Sequence, residues 1–361
     1  MVSNAEKTQW SLIWSLIALN TAIIISWIAY HNYQPILLDR FGLHELAPLL
    51  GYSKLLVMAT VPPLAGYLAD RIKSKGNRSL PILTAGVGIT ALIFMTVAAT
   101  IAPESILPLQ GLLPVMIVVW LISMNLFYAP ALATLEEFVP VAQFTTVMGV
   151  YILASDMAFA LEPAIILLVD FLGASLTFVT GGLLITVAGF MFHRNYLKRG
   201  QVDKSANEVS NNPSSFHLVI LFGLALGFVF AYLINVLPVI LEFKLEGISG
   251  DMPMELVISV ILALTALFAF FIARRLNQYN KSRLFILSFF CCLFSLLGVY
   301  LLPNVFSLIM LLVLIPSLAI LSVTGFPLAI SNASVNDKMF AAGLFVAGME
   351  IPDSLLEIVI G

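Results

Sequence analysis

The chain has 361 residues, of which 60% are apolar and only 10% charged; 17 Lys and Arg against 20 Asp and Glu give a net charge of −3. An ordinary soluble domain carries about 25% charged residues, and a mean hydropathy of +1.03 excludes a soluble globular protein, a disordered chain and a nucleic-acid binder. The apolar residues come in blocks of about 20 or more, the length a helix rising about 1.5 Å per residue needs to cross a hydrocarbon core about 30 Å thick, so the chain reads as an all-α polytopic membrane protein embedded in a lipid bilayer.

Eleven spans are expected, over residues 10–37, 47–69, 79–101, 109–132, 143–169, 173–192, 216–241, 253–273, 283–302, 304–328 and 339–360. The first is too long for a signal-peptide core and is preceded only by Lys7. The connections alternate in charge. Fourteen of the 17 basic residues fall on one face, Arg40 and Lys244 fall on the other, and Lys54 lies within a span. The positive-inside rule then puts the N-terminus in the cytoplasm, most simply across an inner membrane. The sequons at Asn77 and Asn332 fall on that basic face and are expected to stay silent. Between spans six and seven lies KRGQVDKSANEVSNNPSS, residues 198–215, whose composition is that of a flexible linker. It divides an N-terminal six-helix bundle, 1–197, from a C-terminal bundle, 216–361.

The two halves resemble each other. Asn32, Pro35 and Asp39 of span one recur as Asn235, Pro238 and Glu242 of span seven, all at an offset of 203. Gly149 and Asp156 of span five recur as Gly343 and Glu350 of span eleven at an offset of 194, while Glu162 and Glu357 correspond with a one-residue slip. The loop after span two, GYLADRIKSKGNRSLPIL, has a degraded copy after span eight at an offset of 204. Three matches in one order point to duplication, and same-direction six-span repeats are a recurring transporter plan.

Gly66-Tyr-Leu-Ala-Asp70-Arg71, followed by Lys73, resembles the loop motif of the major facilitator superfamily, roughly G-x-L-a-D-R-x-G-R-R/K; here Lys73 stands at the usual second glycine and Ser74 at a usual basic position. The resemblance implies two six-helix bundles about a central cavity, working by rocker-switch alternating access. Spans 1, 4, 7 and 10 would line the cavity, and spans 2, 5, 8 and 11 would form the interface. Asp70 would brace one state against the start of span eleven, where free N–H groups carry partial positive charge. Two family features are missing. Span four has no basic residue, and the glycines that flank the proline of drug antiporters are absent around Pro163. Eleven spans also leave a twelfth unaccounted for, which a truncated sequence explains most simply; otherwise span eleven meets lipid or another subunit.

A charge at bilayer depth is costly and usually faces a cavity or a partner. Span five carries Asp156 and Glu162, and span eleven carries Glu350, Asp353 and Glu357 on one helical stripe. Asp156 and Glu350 fall about 17–20 Å from the basic face, near the midplane. A carboxyl withdrawn from water holds a proton more tightly, so these five acids are the proposed proton or cation coupling groups; the alternative is that each is hydrogen-bonded in a helix interface without a part in transport. Lys54, about 10 Å below the opposite surface, is expected to pair with Glu357, with Glu162 as the alternative partner, either as an outer gate or as a permanent ion pair. Asn32–Pro35 and Asn235–Pro238 suit paired gate kinks or fixed bends, because proline frees a carbonyl one turn back. His31, Asn125, Tyr128 and Ser322 are candidate cavity contacts, and Glu136 and Glu137 are expected in a solvated loop.

Cys291 and Cys292 stand side by side in an apolar run and read as packing thiols. The 13 Met residues form no Met/His array, and neither a Walker loop, a catalytic triad nor zinc spacing occurs. No cofactor, metal site, enzymatic activity or ATP-driven pumping is therefore expected. The leading expectation is a monomeric secondary transporter, driven by H+ or another cation, for a small cationic or neutral solute. Anion sites usually need Arg or Lys, and the spans hold five acids against one Lys. A transporter-like subunit that binds a partner without transporting, and a carrier of an anion or peptide using Lys54 and His31, are the alternatives.

Overall fold

The computed structural model describes residues 8–74, 80–102, 110–198, 213–245 and 253–360, and among them all regular structure is helical. Most of the linker, Lys7, Lys75, Asn77, Arg78, Arg199, Lys204 and Gly361 lie outside the described residues. The helices are α1 (Trp10–Arg40), α2 (Ala47–Ser74), α3 (Leu80–Ile101), α4 (Leu113–Ala133), α5 (Leu135–Phe138), α6 (Phe144–Ala160), α7 (Glu162–Lys198), α8 (Phe216–Ala231), α9 (Leu237–Leu245), α10 (Met254–Leu276), α11 (Lys281–Leu301), α12 (Asn304–Ser331) and α13 (Lys338–Ile360). Ten helical stretches among the described residues are long and apolar enough to cross a membrane. The 23-residue α13 is as long, but it carries Glu350, Asp353 and Glu357 and packs between α2 and α8. Together they account for the eleven expected spans.

Two boundaries depart from the sequence reading. The expected fifth span breaks at Leu161, with Pro163 tolerated in the first turn of the next helix. The chain reverses at Gly173, whose φ of +73° suits glycine. Across that bend the Thr177 hydroxyl donates to the Val169 carbonyl at 3.2 Å; a straight helix would separate residues eight apart by about 12 Å. The seventh span also carries a π-helical turn, Tyr232–Val236, between α8 and α9.

In one half α3 packs on α4 and α7, and α1 on α7; in the other α11 packs on α12, and α10 on α12. Two antiparallel seams join the halves, α2 with α13 and α6 with α10. These are the repeat-related pairs two/eleven and five/eight. Lipid gives helices no hydrophobic reason to associate, so close approach of small residues must supply the contact. A Cβ on Gly66 would come within 2.1 Å of the Met339 carbonyl oxygen, and one on Gly343 within 2.2 Å of that of Pro62. Gly149 sits as tightly on α10, 2.4 Å from the Ala273 Cβ.

Gly343→Ala should therefore destabilise the fold by roughly 1–3 kcal/mol or more, since neighbouring backbone cannot yield as a side chain does. Thermal unfolding in detergent checks this against Gly88→Ala, where nothing lies within 4 Å and the midpoint should be unchanged or slightly raised.

Candidate functional site

The end of α2 that carries Arg71 and Lys73 marks the basic face. There the halves are tied at both seams. The Asp70 carboxylate accepts from the backbone N–H groups of Met339 at 3.2 Å and Phe340 at 2.8 Å. Those are unpaired donors of the first turn of α13, where negative charge is favoured. Asn277 donates to the Thr146 hydroxyl at 3.0 Å across the other seam. Glu136 and Glu137 are not in a solvated loop: they form the short helix α5. Glu136 pairs with Lys338 at 3.1 Å, Glu137 with Lys73 at 2.8 Å, and Tyr196 donates to Glu137 at 3.0 Å. Arg71 is exposed beside them, and Gly66 is buried against α13.

Toward the opposite face the α2–α13 seam holds a charged cluster. The Lys54 ammonium is 3% exposed, contacts Glu357 and lies 3.3 Å from Asp353, whose side chains are 42% and 29% exposed. Its Nζ also stands 5.9 Å from the centre of the Trp27 ring, within cation–π range. Asn235, in the π-helical turn, donates to the second oxygen of Asp353 at 2.9 Å and to the Ala231 carbonyl at 3.0 Å. Glu350, half-buried, acts electrostatically on both Asp353 and Lys54, and on Tyr128. His31 is exposed, with its ring 5.6 Å from Trp27 and 5.3 Å from Tyr30. It faces the charges of Lys54, Glu357 and Asp353. Behind it Tyr30 stacks on Trp120 at 4.7 Å, beside a small apolar pocket that also includes Phe94 and Phe178.

The other expected residues are distributed elsewhere. Glu162 stands at the start of α7, facing Glu255 rather than Lys54. Asp156 is 7% exposed on α6, and its Oδ2 has no hydrogen-bond partner among the described residues. Asn32 donates to Asp170 at 3.1 Å, inside its own half, so it does not mirror Asn235. Pro35 is exposed within α1 and Pro238 half-buried in α9. Asn125 is buried and donates to the Leu121 carbonyl, while Ser322 is buried with its hydroxyl unpartnered among the described residues, so neither presents an exposed group in this conformation. Sequence reasoning missed Asp353 as a partner of Lys54, and it missed Trp27 entirely. Asp353 stands four residues before Glu357, one turn of the same helix, a spacing that would have found it.

The model of the family described as Major Facilitator Superfamily matches residues 15–351. The chain belongs to the major facilitator superfamily. As a member it is an integral membrane protein and a transporter. No curated protein matches it significantly. Among solved structures it is similar to the human organic anion transporter MFSD10 (TETRAN), with a TM-score of 0.70 and 12% identity, over 97% of this chain and 92% of that one. It is also similar to a bacterial homologue of the iron transporter ferroportin in an outward-facing state with soaked iron. There the TM-score is 0.65 and the identity 14%, over 98% of this chain and 90% of that one. At such identities the likeness is one of fold.

The cluster has a direct test of its own. Lys54→Glu brings a fourth acid to the three and should lower the unfolding temperature in detergent. Adding Glu357→Lys should restore most of the loss, with a coupling of roughly 1–3 kcal/mol. Additive losses would show that the two side chains do not depend on each other.

Proposed function

We propose that this superfamily member is a secondary active transporter that works by rocker-switch alternating access, coupled to protons or another cation, and moves a small cationic or neutral solute. Its two moving bodies are residues 1–197 and 216–361, joined by the linker 198–215. The basic face is cytoplasmic, as the distribution of Lys and Arg across the connections argues, which puts the N-terminus inside and suits an inner membrane.

One observation carries the reading. A single buried lysine sits among three carboxylates, Asp353, Glu357 and Glu350, in the seam between the halves, and two of those acids reach accessible space. The local charge balance is negative, which attracts a cation and repels an anion. The second support is the uneven closure of the seams. Both are tied at the basic face by Asp70, Asn277 and close backbone packing, while exposed His31 and half-buried Glu357 lie toward the other face. In this reading Lys54, Glu357, Asn32, Pro35, Asn235 and Pro238 form the outer gate. Asp156 and Glu350, with Asp353, Glu162 and Glu357, take up and release the coupling cation. Asp156 is buried with one oxygen unpartnered among the described residues, and a buried carboxylate without a counter-charge is very costly. A proton or a small cation removes that cost.

Proteoliposomes loaded with a pH-sensitive dye test this. When an ammonium or neutral solute from a small panel is presented under an imposed pH gradient, at least one should move protons across the membrane. The Asp156→Asn/Glu350→Gln double variant, reconstituted in equal amount, should lose at least tenfold of that coupled flux. Full flux in the double variant would remove these acids from the coupling role, and no flux with any solute would remove the carrier reading.

A further inference from the structure

We propose that Lys54 is a tethered occupant of the transport site, and that the cargo is a primary alkyl- or aralkylammonium ion which competes with it for the same acceptors. This deepens the carrier reading above and rests on it.

The surroundings of the Lys54 Nζ are those that an ammonium ligand requires. It contacts the Glu357 carboxylate, reaches the Asp353 carboxylate at 3.3 Å and lies over the face of Trp27 at 5.9 Å. An ammonium has three N–H donors and an apolar stem. Two carboxylates take the donors, and an aromatic face takes part of the charge and the stem. Asn235 fixes the far oxygen of Asp353 at 2.9 Å, so that carboxylate is oriented from behind by the π-helical turn. Single π-helical turns occur often at functional sites. Among the described residues no group of three or more His, Cys, Asp or Glu side chains could hold a metal ion. An ammonium site needs no such group.

The accessibility of the partners differs in the way competition requires. Lys54 is 3% exposed, but Glu357 is 42% and Asp353 29% exposed. Each acid thus keeps part of its side chain accessible while it holds the buried lysine. An ammonium arriving from the accessible side meets the same two carboxylates, with the exposed His31 ring and the half-buried Trp27 ring beside them to receive an apolar or aromatic stem. As it binds, it weakens the hold of both acids on Lys54. That hold is a polar tie between α2 and α13 on this side of the seam, so occupancy and seam opening become one event. When the cargo leaves, Lys54 returns to the same acids, so the empty carrier does not carry both carboxylates without a cation through its cycle.

The test is binding of 2-phenylethylammonium to the purified full chain in nanodiscs, by calorimetry, with tetramethylammonium as a cation that lacks N–H donors. Lys54→Met keeps the length of the stem and removes the competitor. It should bind 2-phenylethylammonium at least tenfold more tightly than the unsubstituted protein and show a much smaller gain for tetramethylammonium. Adding Asp353→Asn to Lys54→Met should abolish the gain. Equal or weaker binding by Lys54→Met would overturn the proposal, as would an equal gain for both cations. Should Lys54→Met not fold, Lys54→Arg decides. A guanidinium holds two carboxylates more firmly, so binding should weaken severalfold, and unchanged or tighter binding contradicts the proposal. Coupled flux in proteoliposomes, measured in parallel, separates the two readings. Flux without a gain in Lys54→Met leaves a carrier whose lysine is only structural; a gain without flux leaves an ammonium receptor that does not transport.

Discussion

The antiparallel contact between α2 and α13 is the constraint on which the rest depends. It runs the depth of the molecule and is made by backbone against backbone, with Gly66 on the Met339 carbonyl and Gly343 on that of Pro62. In a solvent as apolar as the side chains, such approach is what holds helices together. Each end of the seam is closed electrostatically. At the basic face a carboxylate, Asp70, caps the N-terminus of α13; at the other end an ammonium, Lys54, is shared by two carboxylates of the same helix. α13 is therefore held at both ends by charges placed on α2. A seam tied this way has two latches, one near each surface, and releasing them in turn is what alternating access asks of it.

The second seam is built on the same plan without the cation. The offset that relates the loops after spans two and eight puts Ile258, buried and apolar, where Lys54 stands. The counterpart of Glu350 there is Asp156, buried with one oxygen unpartnered among the described residues. One seam thus holds a cation of its own, Lys54, and the other holds an acid, Asp156, at the place that matches Glu350. In the proposed cycle the first seam reads the cargo together with the coupling ion, and the second reads the coupling ion alone. That division would let a pseudo-symmetric frame perform an asymmetric exchange.

Much of the frame was legible in the sequence, because hydropathy, length and the alternation of basic loops are local properties that the bilayer imposes directly. The eleven spans, the pairing of spans two and eleven and the contact of Asp70 with the start of α13 followed from pattern and motif. The break at Leu161 and the π-helical turn at Tyr232–Val236 did not, since a shift in backbone hydrogen-bonding leaves no trace in apolarity. Within the site, the Lys54–Glu357 contact came from estimated depth together with the implied adjacency of spans two and eleven and the reach of a lysine side chain. Asp353 and Trp27 were missed for a different reason: partners there are chosen by rotation about three helices, and an error of one residue turns a side chain by about 100°. Glu136 and Glu137 were placed in solvent because a charged pair after an apolar run usually is. Only the fold brings Lys338 and Lys73 to them.

The central claim is that filling and emptying the acids between the halves moves the two bundles in opposite senses at the two faces. Spin-label distances measure this most directly, in a protein whose Cys291 and Cys292 are replaced by alanine. One pair of labels goes at His44 and Phe243, exposed at the opposite face, and another at Ser74 and Gln278, exposed at the basic face. Between pH 8 and pH 5, and on adding 2-phenylethylammonium, the first distance should shorten as the second lengthens. Distances that stay fixed under every condition, or that change in the same sense at both faces, would contradict the account.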